Sequence, residues 1–169
     1  MKVKDLMKMV TLQKFIIRKF NPNDLDSVIE INRRCLPENY TINFFMDIYR
    51  NCPEAFLVAE AENKIIVGYI MCRLEHGFSD FNRFKLVKKG HIVSIAVLNE
   101  YRRKGIGASL IAQALKELVN VQAKECYLEV RVSNEVGINL YRKFGFEIIQ
   151  RIPYYYHDGE DAYVMSRRL

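Results

Sequence analysis

Three consecutive cations followed by Gly105-Ile106-Gly107 join a strand-like run to an amphipathic helix in VSIAVLNEYRRKGIGASLIAQALKEL, residues 93–118. This arrangement constrains the fold more than any other part of the chain. It demands a strand, a glycine-containing loop and a helix whose first turn is open to its surroundings. The first backbone N–H groups of a helix have no internal partners, and the helix dipole adds partial positive charge there. Glycines leading into such a turn let the backbone approach an anion without an intervening Cβ. Two familiar phosphate loops fail the test. A Walker A loop needs four residues between its glycines and then Gly-Lys-Ser/Thr, whereas Gly107 is followed by Ala108-Ser109. A dinucleotide fingerprint needs glycine where Leu110 stands. What remains is R-x-x-G-x-G. On spacing alone it is either a phosphate-binding loop or a plain loop with solvated cations.

The rest of the chain supplies partners for that unit. Residues 15–20 read as a strand, and Asn21-Pro22-Asn23-Asp24 gives helix-start chemistry ahead of an apolar face that ends near residue 34. Pro37 makes LPENY a connector, after which a second helix is expected over 42–50. Strands over 55–60 and 65–74 are separated by a turn at 62–64. The pattern then fades into an expected loop over 77–88, before a strand over 91–97. From Ile106 the stripe Leu110, Ile111, Ala114, Leu115, Leu118 and Val119 keeps a 3.6-residue period. A strand over 125–132 and a helix over 134–144 follow, with Gly145-Phe146 as a left-handed stop. Strands over 146–152 and 162–166 close the chain. The order β-α-α-β-β-β-α-β-α-β-β predicts an α/β (α+β) fold with one mixed, mostly antiparallel sheet flanked by helices.

At 169 residues, one domain over 14–169 is expected, with 1–13 as a flexible extension. The 26 Lys+Arg exceed the 20 Asp+Glu by six, which suits anionic partners or serves only solubility. Four separated cysteines with no C-x-x-C pair indicate neither a zinc site nor a redox motif, and suit a reducing interior. No metal is expected. The charged first residues lack a signal-peptide core, and no apolar stretch is long enough to span a bilayer. A cytoplasmic protein is the expectation.

The segment R102-R-K-G-I-G107 after GHIVSIAV resembles the acetyl-CoA pyrophosphate loop of the GNAT acyltransferase superfamily. YLEVRVSN followed by GINLYRKFGFE is similar to that family's second half. LPENY and YYYHDGEDAYVM resemble protein N-terminal α-acetyltransferases, both the archaeal members and the eukaryotic NatA catalytic subunit. The likeness runs from Phe15 almost to the end.

The resemblance implies acetyl-CoA as donor, with its pyrophosphate on the loop Arg102, Arg103, Lys104, Gly105, Ile106, Gly107 and Ala108. The pantetheine arm would run along Ile95, Ala96 and Val97 as an added strand, which implies a splay between the fourth and fifth strands. Asn134 would contact the pantetheine, although Asn is also a good helix cap. Tyr141 would protonate the leaving thiolate, its competing role being a core aromatic. Glu38 and His91 would form the base machinery; without the resemblance they read as a loop carboxylate and a structural histidine. Strand alternation puts Glu129 on one face with Tyr127 and Arg131, so Glu129 either pairs with Arg131 or another cation or meets the substrate. Leu36, Pro37, Tyr40, Tyr155 and Tyr156 would frame the peptide.

The expectation is therefore an N-terminal α-acetyltransferase working by direct attack in a ternary complex, without an acyl-enzyme. Its partners would be protein N-termini, nascent chains among them, with no membrane and no nucleic acid, and a monomer is favoured over an obligate oligomer. Lysine or polyamine acetylation by the same fold stays open as an alternative. So does a non-catalytic module that binds acetyl-CoA or nucleic acid.

Overall fold

A computed structural model describes residues 14–169; the expected extension over 1–13 lies outside the described residues. The elements follow the expected order. They are β1 (Phe15–Lys19), α1 (Leu25–Cys35), α2 (Ile42–Asn51), β2 (Phe56–Ala61), β3 (Ile66–Phe78), β4 (Leu86–Val97) and α3 (Ile106–Asn120). Then come β5 (Glu125–Arg131), α4 (Glu135–Lys143), β6 (Glu147–Ile152) and β7 (Ala162–Arg168). Side chains prepare the starts of the first two helices. Asn21 and Asp24 form a capping box ahead of α1, and Thr41 accepts from the Phe44 N–H at the start of α2.

One sheet runs in the order β1-β2-β3-β4-β5-β7-β6. Every pairing is antiparallel except β4 with β5. Neighbouring residues of β3 show how helices cover both faces. A Cβ on Gly68 would meet Ile106 of α3, while Tyr69 bonds Asn32 of α1 and packs edge-on against Phe45 of α2. The core side chains of α3 are Ile106, Leu110, Ile111, Ala114, Leu115 and Leu118; Val119, expected in that stripe, is half exposed. Three cysteines are buried, Cys35 is partly so, and all four are free.

The expected loop over 77–88 is a correction. β3 and β4 continue as a hairpin to Phe78 and from Leu86, leaving only residues 79–85 as the turn. Its base is tied by polar bonds that hydrophobic periodicity does not report. Ser79 donates to Glu125, Lys89 Nζ lies 2.7 Å from Asp80, and Ser166 Oγ donates to Asp80 at 2.7 Å. Lys89 and Glu125 are both largely buried here. β7 likewise extends to Arg168 rather than ending at 166.

One irregularity positions the site. β4 and β5 pair only at Lys89–Glu125, Gly90–Cys126 and His91–Tyr127, and beyond that register they part. The expected splay between the fourth and fifth strands is therefore present. A β-bulge falls just there, since Met71 faces Ser94 while Cys72 faces Ile92, leaving Val93 as the extra residue.

Candidate active site

The splay opens a cleft of about 540 Å³. One wall is β4 from Ile92 to Ile95, and the other is β5 from Leu128 to Arg131. Residues 35–38 and Tyr40 close one side, Tyr155, Tyr156 and His157 another, while Asn134 and Tyr141 of the α4 region stand at the back.

The β4 wall ends at the cation-glycine loop. Gly105 takes φ +82, a left-handed conformation that costs an ordinary residue, and caps α3 without a side-chain bond. The first helical bond there is Ser109 N–H to the Gly105 carbonyl at 2.9 Å. The N–H groups of Ile106, Gly107 and Ala108 therefore precede the helical ladder. Two cations fold back on the loop: Arg102 Nε donates to the Val97 carbonyl at 3.0 Å, and Lys104 Nζ donates to the Glu100 carbonyl at 3.2 Å. Arg103 takes φ 60. Beyond the splay, among the described residues, β4 pairs only with β3, so the backbone edge at Ile95 and Ala96 faces the opening.

Asn134 accepts from the Gly137 N–H at 2.9 Å, so it caps α4 while also lining the cleft. Tyr141 sits on the buried face of α4, its ring edge-on to Phe146 with centroids 5.9 Å apart. That contact belongs to the expected helix stop. Gly145 takes φ +80, its N–H bonds the Arg142 carbonyl, and the Phe146 N–H bonds that of Tyr141. Burial pushes the Tyr141 hydroxyl up to about 12, so it keeps its proton at neutral pH.

Charged side chains gather at the other end. Glu129 Oε2 lies 2.6 Å from His91 Nε2, and His91 Nδ1 lies 3.2 Å from Arg73 Nη2. Arginine can only donate, so Nδ1 of the neutral ring is the acceptor and Nε2 carries the proton towards Glu129. Strand register explains this assembly, because Arg73 and Tyr127 are the ladder neighbours of His91 on either side. Tyr127 stacks flat on the imidazole at 4.4 Å. Glu129 lines the cleft and His91 stands behind it.

Arg131 was not singled out from sequence, yet it organises the mouth. It bonds Glu38 at 2.5 Å, Asp158 at 2.8 Å and Glu160 at 2.9 Å, and lies 4.0 Å over the Tyr156 ring. Burial works against its charge, but the three carboxylates outweigh that and hold its pKa above the ordinary value. Glu38 is thus tied to the loop between β6 and β7. The signal was the alternation that put Arg131 beside Glu129; the ion pair imagined between those two goes instead to His91 and Glu38. Tyr40 stacks on Phe44, and Tyr155 meets Tyr156 edge-on. Cys35 also lines the cleft, its Sγ 3.6 Å from the Val97 carbonyl. Among the described residues no group of three His, Cys, Asp or Glu could hold a metal ion.

The model of the acetyltransferase (GNAT) family matches residues 25–146. This chain belongs to that family. It is an acetyltransferase whose acetyl donor is acetyl-CoA. An N-alpha-acetyltransferase of Sulfurisphaera tokodaii is 49% identical over 159 residues, 93% of this chain and 95% of the relative. The crystal structure of Ard1 from Thermoplasma volcanium superposes with a TM-score of 0.80 at 32% identity, covering 92% of this chain and 97% of the other. Arabidopsis thaliana Naa50, solved with the bisubstrate analogue CoA-Ac-MVNAL, gives a TM-score of 0.75 at 30% identity, covering 92% and 99%. The fold expected from sequence is the fold found.

Proposed function

We propose that the chain is a protein N-terminal α-acetyltransferase that passes acetyl directly from acetyl-CoA to the α-amine of a peptide bound in the same cleft. The observation that carries this reading is the splay itself. A single opening has an unpaired backbone edge leading to a helix start on one side, and carboxylates framed by tyrosines on the other. The name of the Sulfurisphaera relative and the joined analogue in the Arabidopsis structure support it.

The pyrophosphate sits on the N–H groups of residues 103–108, with Arg102, Arg103 and Lys104 adding positive charge. The pantetheine arm pairs with β4 at Ile95–Val97, reaches past Asn134, and presents the thioester near Tyr141. Leu36, Pro37 and Tyr40 hold the peptide from one side, Tyr155 and Tyr156 from the other. The α-amine then lies between Glu38 and the Glu129–His91 pair. With a pKa near ~8, roughly a tenth of such amines are already neutral at pH 7, so the carboxylates have a modest task. The amine attacks the thioester carbon, and its surplus proton passes to the base machinery of Glu38 and the Glu129–His91 pair. The carbon–sulfur bond breaks as the carbonyl re-forms, and Tyr141 gives its proton to the thiolate and regains one from water in the cleft. This reading has the enzyme working in the cytoplasm, as a monomer, on newly exposed N-termini.

Mass spectrometry of short peptides after incubation with acetyl-CoA tests it. A Ser-initial peptide gains one acetyl group, and the same peptide with a blocked N-terminus and an internal lysine gains none. Modification of the blocked peptide at an equal rate would assign the chain to lysine acetylation instead.

A further inference from the structure

Three polar side chains that play no part in this scheme lie between α1 and the sheet, beside the cleft. Asn32, Tyr69 and Ser94 are 1%, 0% and 7% exposed. Asn32 Nδ2 donates at 3.1 Å to the Glu38 backbone carbonyl and at 3.1 Å to the Tyr69 hydroxyl oxygen. That hydroxyl lies 2.8 Å from Ser94 Oγ. Ser94 follows the bulge at Val93 and lines the cleft.

Counting donors fixes the directions. The Glu38 carbonyl only accepts, so the Asn32 atom facing it is nitrogen, and the two amide hydrogens go to Glu38 and Tyr69. The phenol oxygen therefore accepts from Asn32, and its own proton needs an acceptor. A buried hydroxyl proton without one is strongly disfavoured, and Ser94 Oγ is within reach. Burial pushes the Tyr69 hydroxyl up to about 12, so that proton stays in place. Ser94 accepts from Tyr69, which leaves its own hydrogen free for a ligand in the cleft.

We propose that Ser94 donates a hydrogen bond to the carbonyl oxygen of the bound acetyl group, and that Asn32 and Tyr69 are positioning residues that fix its direction. The inference rests on the acetyl-transfer reading. A pantetheine arm along Ile95–Val97 brings the thioester next to Ser94, the residue just before Ile95 on β4. The attacking amine must keep its lone pair for the carbon, so it has no use for a donor. The carbonyl oxygen gains negative charge as the nitrogen–carbon bond forms and loses it when the carbon–sulfur bond breaks, so a fixed donor acts most strongly between those events. No proton leaves Ser94. Because one Asn32 amide also grips the Glu38 carbonyl, the donor and the substrate loop keep a common frame.

Steady-state kinetics on a Ser-initial peptide test this. Ser94→Ala is expected to lower kcat by about 100-fold while the KM for acetyl-CoA stays within about twofold of wild type. Ser94→Thr, which keeps the hydroxyl, restores most of the rate. Tyr69→Phe, which keeps the ring in the core but removes one hydrogen bond, lowers kcat by about tenfold with the same KM. A second readout is the carbonyl resonance of acetyl-CoA labelled with carbon-13 at the acetyl carbonyl. It moves downfield on binding to wild type and to Ser94→Thr, and less on binding to Ser94→Ala. Unchanged kcat in folded Ser94→Ala and Tyr69→Phe, or one resonance position for wild type and Ser94→Ala, overturns the proposal. Absence of peptide acetylation by the wild-type chain would instead overturn the functional reading beneath it.

Discussion

The two ends of the cleft are made of different material. The end proposed for the cofactor is backbone: a strand edge freed by the splay and N–H groups opening α3, with Gly105 holding the turn. The end proposed for the substrate is side chains, with Glu38, Asp158 and Glu160 converging on Arg131 and Arg73 reaching Glu129 through His91. A backbone site follows once the local fold forms. A side-chain site needs segments far apart in sequence to arrive together; Glu38 and Arg131 are 93 residues apart. The first end should therefore resist single substitutions, and the second should fail in steps.

Tyr141 stands where the ends meet and gives the sharpest test. Tyr141→Phe removes a hydroxyl but keeps the ring against Phe146. The expected outcome is a fall in kcat of about 100- to 1,000-fold, with acetyl-CoA affinity within about twofold and thermal stability unchanged. Calorimetry and kinetics on one preparation separate these. Equal losses in rate and affinity would show that the hydroxyl serves binding rather than the leaving thiolate.

Arg131→Leu should divide the ends most cleanly. It leaves three carboxylates without their cation and Tyr156 without its cover. These groups are partly exposed, so the cost in stability is small beside that of a buried ion pair. The peptide KM should rise at least tenfold while acetyl-CoA binding holds. A parallel loss of cofactor affinity would mean that the two ends are one structure.

The contrast also explains how much of the site was legible in the sequence. The element order, the loop at Arg102–Ala108 and the alternation of Glu129 with Arg131 are local patterns, and periodicity reports them directly. The strand ends inside the expected loop over 77–88 escape periodicity because that stretch and its flanks carry Glu75, Lys88 and Lys89. These bond the Tyr127 hydroxyl, the Val121 carbonyl at the end of α3 and Asp80 in the turn rather than fill the core. The clasp at Arg131 had no reading at all. Its partners come from two loops, and nothing in a single sequence says which carboxylates will meet it. Asn32, Tyr69 and Ser94 looked like ordinary members of a helix and two strands for the same reason.

Acid should loosen the substrate end first. Asp158 is held below the ordinary carboxylate range mainly by the Glu160 N–H, and Glu160 mainly by Ser133, with Arg131 adding to both. A carboxylate with a depressed folded pKa contributes stability above its unfolded value, near ~4, and loses it as pH falls through the folded one. Peptide affinity should therefore decline below about pH 4. Over the same range the diphosphate of CoA keeps its charge and the backbone N–H groups proposed to cradle it do not titrate. Equilibrium binding of each ligand from pH 7 downward checks this, and simultaneous loss of both would erase the distinction.

The smallest effect probes the backbone end itself. At Gly105 a Cβ would meet nothing within 4 Å, so only the conformation at φ +82 is at stake. Gly105→Ala should cost about 1 kcal/mol and weaken acetyl-CoA by roughly three- to fivefold, since the strain is relieved by tilting the N–H groups proposed to grip the pyrophosphate. Gly105→Asn, which tolerates the left-handed region better, should lose less of both. Peptide KM at saturating acetyl-CoA should not move in either variant. If Ala and Asn lose equally, conformation is not what Gly105 supplies, and the bare surface in front of α3 matters instead: a Cβ there would stand in the path of the phosphates whatever backbone angle carried it.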